Sequence, residues 1–156
     1  MCLSSEEVGE DFDSRWSKDK TYTYVLKNSD LPDAFLDKRV WHIKPKLNID
    51  AMKKAAKAFL GEHDFIGFAA SGFTVKTPVT TIYSLDITEN DGLIEIKVKG
   101  NGFLYNMVRI IAGTLVFVGM GKIDPDSMAE IIESKDRTMA GITAPPDGLY
   151  LTEVNY

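Results

Sequence analysis

Residues 79–99 read VTTIYSLDITENDGLIEIKVK, and this stretch decides the fold. Apolar and polar side chains alternate through both halves, as they do in strands that have one buried face. The residues predicted to share a face are Val79, Thr81, Tyr83, Leu85 and Ile87 in the first half and Ile94, Ile96 and Val98 in the second. Between them, Asn90-Asp91-Gly92 favours a tight turn, so the sequence predicts an antiparallel hairpin.

The flanking sequence supplies the other elements. A strand is predicted over 21–26, where Tyr22, Tyr24 and Leu26 share a face, and residues 39–43 lead on toward the first helix. The predicted helices run from a cap at Asn48 or Asp50 to Gly61, from 103 to 118, and from Asp124 to near 135. The rigid turn at 144–151 precedes a last strand that ends at Tyr156. This order predicts an α+β fold with a mainly antiparallel sheet and helices packed on one face.

Length and composition favour one compact domain over 21–156, preceded at 1–20 by an acidic leader or the remnant of an interdomain segment. The chain has 156 residues, of which 44% are hydrophobic and 26% are charged. Its single cysteine, Cys2, excludes a disulfide framework and favours a reducing, cytoplasmic compartment. The longest apolar run, near 107–121, is too short for a membrane span, and we find no signal peptide.

The net charge of -5 argues weakly against a nucleic-acid partner, but most of the excess acid lies in the leader. In the body, Lys53, Lys54 and Lys57 share a helical face, and Lys97 and Lys99 share a strand face. Each group is either a basic binding patch or an ordinary solvated face.

Arg109 is the residue whose chemistry most restricts its surroundings. It is the only charged residue between Phe103 and Val118. A buried guanidinium stays charged and needs an anionic partner, yet no acidic residue lies within a helical turn. The partner is therefore expected elsewhere in the fold, on another chain, or on a ligand. The alternative is an arginine that reaches water or pairs with a surface carboxylate.

Several common kinds of site are excluded. One cysteine and two separated histidines, His42 and His63, do not provide a zinc spacing. The sequence has no Gly-x-Ser-x-Gly motif for a serine hydrolase, and the turn at 100–102 lacks the features of a nucleotide-binding loop. His63-Asp64 is predicted to be a helix-exit loop held by its own hydrogen bonds. Tyr22 is a sheet-packing residue or, beside Arg109 and a carboxylate, a ring that stacks on a base.

Five blocks resemble one known family. They are KTYTY (20–24), LGEHDF (60–65), GNGFLYNMVR (100–109), KDRTMAG (135–141) and TAPPDGLYL (143–151). Together and in this order, they resemble tRNA pseudouridine synthase A, the TruA family. The resemblance implies a pseudouridine synthase fold and the isomerisation of uridine to pseudouridine in the anticodon stem-loop of tRNA. It also implies that no metal or cofactor is needed, and that the enzyme is a homodimer.

The resemblance also assigns roles to residues. Family members attack the nucleotide with an aspartate in a Gly-Arg-Thr-Asp-Ala-Gly-type block, which this sequence lacks. The chain is therefore expected to be the C-terminal domain and to be inactive alone. Arg109 matches the arginine that pairs with that aspartate, Tyr22 matches the tyrosine that packs on the target base, and Leu149 matches a residue that lines the pocket.

Two alternatives and one surface remain to be tested. The alternatives to an enzyme are a non-catalytic RNA-binding or assembly module of the same fold and a domain that binds a small carboxylate through Arg109. A homodimer is permitted by an apolar surface expected at Ile110, Val116 and Phe117.

Overall fold

The computed structural model describes residues 2–72 and 77–156, and this part of the chain folds into six strands and three α-helices. The strands are β1 (Asp19–Asn28), β2 (Trp41–Ile43), β3 (Gly61–Asp64), β4 (Val79–Asn90), β5 (Leu93–Gly100) and β6 (Leu149–Asn155). The helices are α1 (Ile49–Ala56), α2 (Met107–Gly119) and α3 (Met128–Ser134). The predicted α+β class is confirmed.

All the strands join one mixed, mostly antiparallel sheet. Its order is β2-β1-β5-β4-β3, and β6 also pairs with β1. β1 is antiparallel to β5 along most of its length. β6 pairs antiparallel with the first part of β1, through Tyr24, and β2 pairs parallel with the last part, from Leu26. β1 thus pairs with three strands, with β5 on one edge and with β2 and β6 on the other.

The core lies between the helices and one face of this sheet. Tyr24, Leu26, Ile94, Ile96 and Val98 point into it and are inaccessible to solvent, as predicted. α2 covers this face with a nearly continuous buried surface, and α3 buries Met128, Ile131 and Ile132 as predicted. Ile110 and Val116 are also fully buried in this core. The prediction that they form a surface for a second subunit is therefore wrong.

The hairpin forms where predicted, but its first strand changes phase. Asp91 and Gly92 both have positive φ, as a tight two-residue turn requires. Opposite Lys99 and Gly100, however, β4 carries an extra residue at Tyr83. This β-bulge leaves Tyr83 exposed and buries Thr80 and Ile82 before it, and Leu85 and Ile87 after it. The expected single face from Val79 to Ile87 is therefore wrong before Leu85.

Other boundaries differ from the predictions for local reasons. α1 begins with Asn48 as its N-cap and ends at Ala56, and a 3₁₀ turn then continues to Phe59, so Leu60 is exposed. Residues 61–64 form β3, paired with β4, rather than a helix-exit loop. The connection at 39–43 contains the short strand β2. The third helix begins as a 3₁₀ turn at Pro125, after an Asp124 cap.

The stretch 141–144 crosses α2 at unusually close range. An added Cβ on Gly113 would overlap the carbonyl oxygen of Ile142, and one on Gly141 would lie 2.6 Å from Cα of Thr114. The N–H of Gly141 donates to Oγ1 of Thr114 at 2.9 Å, and the N–H of Ala144 donates to the carbonyl of Arg109 at 3.1 Å. Backbone thus packs directly on backbone here, which only glycine at these two positions permits.

In the described ranges, we find no helix with the length and apolar character needed to cross a membrane.

Gly113→Ala tests the close crossing. Replacing a helical glycine by alanine normally stabilises a helix by about 1 kcal/mol. Here we expect the free energy of unfolding to fall by about 1–3 kcal/mol, because the added methyl must displace the 141–144 backbone. Urea denaturation measures the change.

Gly102→Ala is the matched control. A Cβ at Gly102 would meet only Oγ1 of Thr80, at 3.8 Å. Its effect should stay within about 0.5 kcal/mol. A Gly113→Ala chain as stable as the parent would contradict the described packing.

Candidate active site

Tyr22, Arg109 and Leu149, the three predicted site residues, line one pocket. It has a volume of about 200 Å³ and lies where the start of α2 meets β1 and β6, with residues 103–109 forming its remaining wall. These three residues come from distant parts of the sequence and meet because β6 pairs with β1 beside the start of α2. The structure therefore brings together the three residues of this chain that the family resemblance assigns to the site.

Tyr22 forms one side of the pocket. Its ring packs edge-on against Phe103, with ring centroids 5.2 Å apart and an interplanar angle of 88°. It lies half-buried on the helix-covered face of β1, two residues before the buried Tyr24. Leu149, also half-buried, begins β6 opposite Tyr24. An aromatic ring and a leucine thus give the pocket an apolar wall beside Arg109.

Arg109 lies half-buried in the first turn of α2, which begins at Met107 rather than at Phe103. Its Nε donates to the carbonyl of Ala144 at 2.7 Å, and its Nη1 donates to Oδ1 of Asn106 at 3.1 Å. Two oxygen atoms thus hold the half-buried guanidinium at the pocket wall. Both acceptors are neutral, so the positive charge is oriented without being neutralised.

Arg109 makes no ion pair with any carboxylate of residues 2–72 and 77–156. A guanidinium has five N–H donors, and two of them are used by Ala144 and Asn106. The first-turn N–H groups of a helix also favour a negative charge. The pocket thus presents a fixed cation with donors to spare, which suits a carboxylate or a phosphate.

Tyr24 holds the backbone next to Ala144. Its hydroxyl donates to the carbonyl of Pro145 at 2.7 Å. Burial raises the pKa of this phenol well above its usual range, and the nearby Arg109 charge only partly opposes the effect. Tyr24 therefore stays neutral and links β1 to the segment that carries Ala144.

The other candidate features do not form a second site. A larger surface cavity, of about 610 Å³, lies beside the start of α1, but Lys46 and Lys53 there are accompanied by Asp50 and Glu89. Of the possible basic patches, Lys54 pairs with Asp126 at 2.8 Å and Lys99 pairs with Asp19 at 3.4 Å. These contacts favour the solvated-face interpretation.

The two histidines make local contacts. Nε2 of His63 lies 2.9 Å from the carbonyl oxygen of Leu60, and Nε2 of His42 lies 2.8 Å from that of Ser29. Asp64 accepts from the N–H of Ile66 and pairs with Lys135. Within the described residues, we find no group of three or more acidic, histidine or cysteine side chains arranged to hold a metal ion.

Comparison with known proteins identifies the family. A family model described as tRNA pseudouridine synthase matches residues 55–156, which include Arg109 and Leu149. The chain belongs to this family.

Curated relatives extend the match to the whole chain. The tRNA pseudouridine synthase A of Ruminiclostridium cellulolyticum is 50% identical over 158 residues, and that of Bacillus subtilis is 44% identical over 158 residues. That of Thermoanaerobacter pseudethanolicus is 47% identical over 157 residues. Each alignment covers 100% of this chain but only 64% of the relative. The chain is thus similar to about two-thirds of a tRNA pseudouridine synthase A.

Sequence reasoning missed the residues that hold Arg109 in this family member. Asn106 lies in the left-handed region, with φ of 60°, and this places its side chain three residues before Arg109 on the same wall. Asparagine tolerates that conformation better than most residues, so its position just before an apolar helix was a usable signal. Ala144 contributes only a backbone carbonyl, and a residue pattern gives no signal for that.

Asn106→Gly tests the orientation of Arg109. Glycine accepts the left-handed backbone without strain but removes the Oδ1 acceptor. We expect the stability to stay within about 1 kcal/mol of the parent, because strain relief offsets the lost hydrogen bond. The Arg109 side chain should become more mobile, with a lower NMR order parameter at its Nε–H.

Lys38→Gly is the control, because Lys38 has a φ of 57° on an exposed segment that does not line this pocket. It should leave the Arg109 order parameter unchanged. An equally ordered Arg109 in Asn106→Gly would show that Asn106 does not fix the guanidinium.

Proposed function

We propose that this chain supplies part of the active site of a tRNA pseudouridine synthase that converts uridine to pseudouridine in the anticodon stem-loop. The observation that carries the proposal is the oriented, un-neutralised Arg109 beside Tyr22 and Leu149. Membership of the tRNA pseudouridine synthase family supports the reaction and the substrate. We also propose that the full-length enzyme is a homodimer that acts on tRNA in the cytoplasm.

The nucleophile is proposed to be an aspartate in the part of the full-length enzyme that lies outside this chain, which we take to be its N-terminal part. Arg109 would bind this carboxylate with the N–H donors left free by Asn106 and Ala144. A guanidinium beside a carboxylate lowers its pKa and so keeps it ionised at neutral pH. The charge-assisted pair also fixes its direction, as a nucleophile requires.

The reaction exchanges one bond of the target nucleotide for another. The aspartate attacks the nucleotide and the bond between C1′ and N1 breaks. The uracil then turns, and C5 bonds to C1′ while the bond between the aspartate and the nucleotide breaks and frees the carboxylate. The hydrogen on C5 leaves as a proton, and N1 is protonated, so the atoms balance. The target base must leave the stack to reach the pocket.

Tyr22 and Leu149 would contact the flipped uracil. Tyr22 presents a ring whose edge contact with Phe103 fixes its plane, and Leu149 packs from β6. Together they would exclude water from the base while it is detached and turning. The role of these residues is thus to confine the base, and the role of Arg109 is to hold the nucleophile.

Turnover by the chain alone tests the origin of the nucleophile. Incubated with tRNA carrying 5-tritiated uridine, the 156-residue chain should release no tritium. A chimera in which the N-terminal part of the Ruminiclostridium cellulolyticum relative, proposed to carry the aspartate, is placed ahead of the chain should release it. Turnover by the chain alone would refute an external nucleophile. A chimera that folds and binds tRNA without turnover would favour a non-catalytic RNA-binding module.

Arg109→Met tests the role of the charge. The chain should fold with a loss of about 1 kcal/mol, because Arg109 makes two hydrogen bonds at a half-buried position. The chimera carrying the same change should lose activity. Arg39→Met, at an exposed position, should change neither property. Failure of the Arg109→Met chain to fold would instead identify a structural arginine.

A further inference from the structure

Arg137 is a second half-buried arginine without a carboxylate partner among residues 2–72 and 77–156. Its Nη1 donates to the carbonyl of Gly141 at 2.8 Å, and its Nη2 donates to Oγ1 of Thr143 at 3.1 Å. Both contacts go to one short stretch of chain. The guanidinium therefore spans Ile142 and holds the residues on either side of it.

That stretch is also bound by α2. α2 holds it through the Thr114 hydroxyl, which accepts from the N–H of Gly141 at 2.9 Å. The hydroxyl itself donates to the carbonyl of Ile110 at 2.7 Å, so its direction is fixed. Residues 141–144 are thus held both by α2 and by Arg137.

The same stretch ends at the acceptor for the site arginine. The carbonyl of Ala144, one residue beyond Thr143, receives the 2.7 Å bond from Nε of Arg109. A continuous series of hydrogen bonds and one peptide segment therefore links the two guanidinium groups. Any shift of residues 141–143 changes the position of the carbonyl that orients Arg109.

We propose that Arg137 is a positioning residue for Arg109, acting through the Gly141–Thr143 stretch and the carbonyl of Ala144. The proposal deepens the function proposed above, because it concerns the same pocket. The planar fork of arginine suits this task, since its two Nη atoms reach two acceptors at once. A lysine has a single nitrogen and would hold the stretch only partly.

A direct contact between Arg137 and an RNA phosphate is the competing role for the charge. Positioning and phosphate binding predict different effects of the conservative change Arg137→Lys. Lysine keeps the charge, so a phosphate contact would largely survive Arg137→Lys. Positioning depends on the paired donors, so Arg137→Lys should give a partial loss and Arg137→Met a full one.

The experiment measures hydrogen exchange of the Arg109 Nε–H by NMR in this chain, with the signal assigned from its absence in Arg109→Met. We expect Arg137→Met to speed exchange about tenfold, equivalent to about 1.4 kcal/mol. Arg137→Lys should fall between Arg137→Met and the parent. Arg39→Met should leave the rate unchanged.

An unchanged exchange rate in Arg137→Met, even with a lower melting temperature, would overturn the proposal and leave Arg137 a merely structural residue. If Arg137→Met does not fold, Thr143→Val decides the matter, because it removes only the Nη2 acceptor. It should speed exchange in the same direction by a smaller factor, and no change would overturn the proposal.

Activity of the chimera separates positioning from phosphate binding. With positioning, Arg137→Met lowers kcat and leaves KM for tRNA unchanged, whereas a rise in KM alone would contradict it. An inactive parent chimera would count against the proposed function only. The exchange rates in the isolated chain would still decide the role of Arg137.

Discussion

The close crossing of α2 by residues 141–144 is the constraint on which the pocket depends. Gly113 and Gly141 allow two backbones to touch where any side chain would separate them. The crossing places the carbonyl of Ala144 within reach of Arg109 and the carbonyl of Pro145 within reach of Tyr24. The position of the site cation thus follows from backbone packing, which tolerates very little displacement.

Neutral acceptors give the pocket its chemical character. A carboxylate from the same chain would also orient Arg109, but it would cancel the charge that an incoming anion needs. Asn106 and the Ala144 carbonyl orient it through dipoles and leave its charge available. Holding a charged group with uncharged partners is how a protein prepares a site before its ligand arrives.

Local patterns predicted the features that depend on neighbouring residues. Alternation located β4 and β5, and a lone charge in an apolar helix singled out Arg109. Long-range pairing was not predictable in this way. The bulge at Tyr83 is defined by its register against β5, and β3 has no apolar alternation and forms because β4 lies beside it. The roles of Tyr22, Arg109 and Leu149 were predicted from the family resemblance. The contact between Arg109 and the Ala144 carbonyl depends on the folded backbone, and no residue pattern predicts it.

The pairing of β1 with β6 has a consequence for synthesis on the ribosome. β1 lies near the start of the chain, and its hydrogen-bonding partner β6, which carries Leu149, runs to Asn155. The pocket wall formed by these strands cannot form until β6 has been translated and has left the ribosome. Until then, half of the β1 edge next to Tyr22 is unpaired and open to pairing with other chains. Slow elongation between the codons for β1 and those for β6 would prolong that exposure.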